Sequence, residues 1–78
     1  MRGIAIPFKY IVPIDLDYLD LHSKGVVVDG DSKAVIVLAP DDELMKSWER
    51  LKGEGKVDYR ELTPEEVRRY SDLALFGG

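Results

Sequence analysis

The stretch GVVVDGDSKAVIVLAP, residues 25–40, constrains the fold more than any other part of the chain. Two β-branched runs, Val26–Val28 and Ala34–Leu38, flank DGDS. Asp and Gly suit a tight turn there, and Gly30 can take a positive φ at little cost. The pattern predicts a β-hairpin. Its runs are continuous and apolar rather than alternating, as in a central, well-covered pair of strands. Such a pair needs further elements to cover it. The chain has 78 residues to supply them, enough for a single small domain spanning 1–78. It contains no cysteine, so neither disulfides nor thiolate metal sites can staple it. Packing or oligomerisation remains, and a homodimer is expected.

Upstream, GIAIPFKYIVP places Ile4, Ile6, Phe8, Tyr10 and Val12 on one face of a strand. Pro7 and Pro13 interrupt it, which predicts an edge strand or two short pieces. Residues 14–25 read as a strand near 16–22, with a short helix capped by Asp15 and stopped by Gly25 as the alternative. Downstream, Leu44, Trp48 and Leu51 form the stripe of an amphipathic helix that stops at Gly53. KVDYREL reads as a short, polar strand near an edge. Then LTPEEV opens a helix running from Pro64 to Phe76. Thr63 and Glu66 form a capping box, Pro64 suits the first helical position, and Leu62 and Val67 are spaced for a hydrophobic staple. The order is β(β)ββαβα. The fold class is α+β, with an antiparallel sheet of about three to five strands carrying two α-helices on one face.

Composition narrows the function. The chain lacks Asn, Gln and Cys while 33% of it is charged. Those three side chains are fragile at high temperature, where charged networks gain relative value, which points to a hyperthermophile, an archaeal one by expectation. No apolar run approaches the ~20 residues of a membrane span, so no membrane partner is expected. MRGIAIPFKY is unlike a secretory signal, and a cytoplasmic location is expected. The net charge is −4 with Lys and Arg scattered among acids, so no nucleic-acid partner is expected. His22 is the lone histidine, and its neighbour Ser23 would face the other way on a strand. DGDS fails the calcium-loop pattern, and no phosphate-binding glycine motif occurs. No catalysis, no metal and no cofactor are expected.

The chain ends in SDLALFGG. In length and in this ending it resembles ThiS- and MoaD-type sulfur carriers and archaeal ubiquitin-like modifiers. That resemblance implies a last strand within SDLALF and a tail, Gly77 and Gly78, whose terminal carboxylate is activated. The helical reading instead makes Gly77 the residue that follows the helix end. Separately, residues Val26–Val28, Gly30, Lys33–Leu38 and Pro40–Glu43 resemble the hairpin-then-helix of Phd-type antitoxins, which implies a small dimeric regulator. The chain is read first as a non-catalytic protein-interaction or regulatory module. Val67, Tyr70, Leu73 and Phe76 are the expected partner-binding residues, docking by a helix face or a sheet edge. A Gly-Gly carrier is the alternative.

Overall fold

The computed structural model describes residues 1–11 and 13–76. The elements are β1 (Gly3–Pro7), a 3-10 turn (Phe8–Tyr10), α1 (Pro13–Leu21), β2 (Gly25–Asp29), β3 (Ala34–Leu38), α2 (Asp42–Gly53), β4 (Arg60–Glu61) and α3 (Pro64–Phe76). The four strands form one sheet in the order β2-β3-β1-β4. All three pairings are antiparallel. The class is α+β, as the sequence implied.

The sheet is covered on both faces, which corrects the expectation of helices on one face. Every residue of β3 is buried. Successive residues of a strand point to opposite faces, so a fully apolar strand needs cover on each side. On one face Ile4, Ile6, Val35 and Val37 pack with Leu19 of α1 and with Leu44, Met45 and Trp48 of α2. On the other, Ala5, Ala34, Ile36 and Leu38 pack with Leu62 and with Val67 and Tyr70 of α3.

Three further expectations change. Residues 13–21 are helical, so of the two readings of 14–25 the strand falls and the short helix holds. Leu16 and Leu19, three apart, both reach the α2-side core, while Asp17 and Asp20 are exposed. That three-residue spacing is the signature of a helix face, and Asp15 falls inside the first turn rather than at the cap. The first strand is interior, not an edge. Pro7 is its last residue, and the chain turns away at Phe8, so alternation does not continue to Tyr10. In the hairpin loop the positive φ belongs to Lys33, at 54°, and Gly30 does not adopt one. The Asp29 carboxylate accepts the N–H groups of Asp31 and Ser32 and forms the turn itself. The left-handed residue that closes the loop comes later.

The start of α3 matches its sequence signature in detail. Thr63 Oγ1 accepts the Glu66 N–H at 3.2 Å, and Glu66 Oε1 accepts the Thr63 N–H at 3.0 Å. Leu62 and Val67 are both buried across that cap. The helix continues to Phe76, so the final strand implied by the sulfur-carrier resemblance is absent from residues 64–76. Gly77 and Gly78 lie outside the described residues.

Candidate functional site

Strand order leaves β2 at one edge of the sheet and β4 at the other. This corrects half of the hairpin reading, since β3 is interior and β2 is not. The direction of the free backbone groups follows from the ladder. Phe8 N–H donates to Lys33 C=O at 3.0 Å, which aims the main-chain groups of Lys33, Val35 and Val37 at β1. Those of Ala34, Ile36 and Leu38 then aim at Asp29, Val27 and Gly25 of β2. By the same alternation, Val26 and Val28 turn their N–H and C=O groups outward.

A groove of about 410 Å³ runs along this edge. Val26, Val27 and Val28 form its floor, Leu73 and Ala74 of α3 one wall, and Asp20 of α1 the other. Val28 is 61% exposed and Leu73 is 51% exposed. Lys24 sits at one end of the strand, and Asp29 and Asp31 sit at the other. On the α3 side the groove opens into a larger hollow of about 560 Å³, where Arg60, Glu66, Arg69 and Tyr70 supply polar walls.

Polar contacts hold α3 in place beside the edge. Tyr70 is buried, and its hydroxyl donates to Asp29 Oδ2 at 2.5 Å. This bond, helped by Ser32, holds the Asp29 carboxyl below its ordinary pKa. Arg60 grips Glu66 through two parallel bonds of 3.0 and 2.8 Å. Together with the Thr63 N–H they hold the Glu66 carboxyl down to about 2. In this way α3 is pinned at its start by Arg60 and midway by Asp29, the last residue of β2.

The expected partner-binding row divides on this geometry. Val67 and Tyr70 spend their side chains on the interior, at 8% and 4% exposure. Their burial leaves little of either side chain at the surface, although Tyr70 still lines the hollow beside the groove. Leu73 is exposed and forms a groove wall. Phe76 ends the helix. Val28 was missed by sequence reasoning. A signal was available, since three valines between Gly25 and Asp29 form a shorter apolar run than the five residues of β3, as an edge strand does.

His22 and Ser23 form no nucleophile–base pair. Ser23 Oγ donates to Leu19 C=O at 2.6 Å. His22 Nδ1 lies 2.8 Å from Asp41 Oδ2 and 3.3 Å from Glu43 Oε2. Its ring packs on Tyr18, with centroids 4.5 Å apart. Among the described residues this is the group whose donor atoms converge as a divalent cation would need. Each member already serves the junction between α1 and α2. Asp41 Oδ1 accepts the Leu44 N–H at 2.8 Å and caps α2, and Asp41 N–H donates to His22 C=O. The Leu44 N–H first, and His22 second, lower the Asp41 pKa. The cluster works as a clamp between two helices.

Among the described residues no helix is long and apolar enough to cross a membrane. Comparison with protein-family models, curated proteins and solved structures finds no match to this chain.

Proposed function

We propose that the protein is a non-catalytic protein-interaction or regulatory module, acting in the cytoplasm of a hyperthermophile. Its docking element is the β2 edge with the groove beside it, and it binds protein by adding a strand to the sheet. One observation carries this reading. Among the described residues, a five-residue edge strand with an all-valine centre is left open between α3 and α1. Native proteins normally blunt such edges with charge, proline or a covering element. Among the described residues the three valines themselves carry neither charge nor proline, and the exposed Val28 and Leu73 extend the apolar surface. The composition without Asn, Gln or Cys supports the thermophilic source.

Site-directed photocrosslinking tests it. A photoreactive residue at position 28 is expected to give discrete protein adducts in host extract or in concentrated pure protein. The same residue at Lys46, exposed on α2, is expected to give none. Absence of adducts from position 28 under both conditions would rule out the β2 edge as the docking element.

A further inference from the structure

We propose that the occupant of the β2 edge is a second copy of this chain, paired antiparallel about a two-fold axis through Val27. The proposal rests on the interaction reading above and names its partner.

Three features of the edge are self-complementary. The first is hydrogen-bond parity. Val26 and Val28 carry the outward main-chain groups, and they stand symmetrically about Val27. Pairing about Val27 sets Val26 of each copy opposite Val28 of the other. Both pairs can then exchange N–H and C=O in full, giving four main-chain bonds with no slip in register. An axis on a residue of the other parity would also align donors with acceptors, so parity alone does not choose the centre.

The side chains choose it. Centring on Val27 makes every cross-strand pair of the middle valine against valine. Val26 and Val28 share one face, and Val27 meets its own copy on the other. The exposed Val28 is then covered by Val26 of the second copy. Leu73 stands on the Val27 side, where it can close over the new pair. Moving the centre to Val28 would set Val27 against Asp29 and Val26 against Gly30, putting a charge and a glycine opposite the valines.

The third feature is charge. Lys24 precedes the strand, and the turn with Asp29 and Asp31 follows it. Antiparallel pairing brings Lys24 of each copy against the acidic turn of the other. No ion pair occupies Lys24 or Asp31 among the described residues.

The assembly is closed. Two sheets joined at β2 form one continuous sheet of eight strands whose only remaining edges are the two copies of β4. Those edges are two residues long and charged, the kind that resists further growth.

Sedimentation velocity of the full chain over a range of concentrations tests the proposal, with two kinds of variant. Val28→Pro removes an N–H that faces outward, so it subtracts two bonds from the dimer and none from the β2–β3 ladder. It is expected to weaken the dimer by roughly tenfold to hundredfold. Lys24→Asp alone is expected to weaken it, and Lys24→Asp with Asp31→Lys to restore it. That rescue does not depend on how Val28→Pro folds. A wild-type dimer that responds in this way supports the proposal. A dimer indifferent to all three variants, or a chain monomeric at every concentration, overturns it. If the chain is monomeric yet position 28 still crosslinks to a host protein, self-pairing falls and the interaction reading stands. If position 28 crosslinks to nothing, both fall.

Discussion

The two edges of the sheet are built on opposite plans. The β4 edge is two residues long, Arg60 and Glu61, both exposed. Arg2 pairs with Glu61 and Arg60 with Glu66, and Lys52 Nζ donates to Tyr59 C=O at 3.0 Å. Charge and shortness together leave little backbone for another strand to join. The β2 edge is five residues long, with three valines in the middle and no charge within the strand before Asp29 at its end. One edge is finished for water. The other keeps valines along its centre, half-buried at Val26 and Val27 and exposed at Val28. The difference teaches that length and charge, which β4 uses to close its edge, are not what β2 presents along its valines.

The comparison can be broken from the inside first. Ile36 is the cross-strand neighbour of Val27 and is 1% exposed. Ile36→Ala is expected to cost about 2–5 kcal/mol in chemical denaturation, through lost burial and the cavity left behind. It should loosen β2 and the α3 wall together, while a matched change at Glu61, which loses only its exposed pair with Arg2, stays within about 1 kcal/mol.

Next comes the cap of α3, which positions Leu73 over the groove. Thr63→Ala leaves the Glu66 N–H without its acceptor and is expected to cost about 1 kcal/mol. Total helix content measured by circular dichroism should fall slightly, while the strand signal holds.

Acid separates the edges further. Glu66 has its folded pKa lowered to about 2, chiefly by Arg60. A depressed carboxylate stabilises the fold fully above its unfolded value, near 4.3, and that contribution is lost as pH falls through about 2. Asp29, lowered by Tyr70, acts in the same direction. The melting temperature should therefore drop between about pH 4 and pH 2, and Glu66→Gln should flatten that part of the profile. The groups involved are half-buried at the surface, so solvent screens them in part and the drop should be small and shrink further in high salt.

The smallest effect lies in the hairpin loop. Lys33 adopts a φ of 54°, a region that favours glycine. Lys33→Gly is expected to stabilise the protein by up to about 1 kcal/mol, raising the midpoint of thermal unfolding while leaving both edges unchanged.

Local signals were legible in the sequence because their causes are local. The capping box at Thr63 and Glu66, the Leu62–Val67 staple and the stripe from Leu44 to Trp48 all depend on residues within a turn or two of each other. What escaped was set by partners distant in the chain. The hairpin announced two apolar strands, yet nothing within residues 25–40 says that β1 takes the far side of β3 and leaves β2 bare. For 14–25 the strand was preferred over the short helix because its Asp–Leu alternation imitates a strand. The three-residue spacing of Leu16 and Leu19 is what the core selected. Tyr70 looked like an interface aromatic from sequence. Its hydroxyl instead found Asp29, 41 residues away, an interaction that no local pattern encodes.

Amide hydrogen exchange read residue by residue tests the central claim most directly. Val27 N–H faces β3 and should be protected at every protein concentration. The N–H groups of Val26 and Val28 face outward, so in a free edge they should exchange as solvent-exposed amides. If the edge is joined by a second copy, both should gain protection as concentration rises, while Val27 stays constant. Val26 and Val28 exchanging freely at all concentrations, beside a protected Val27, would contradict a self-paired β2.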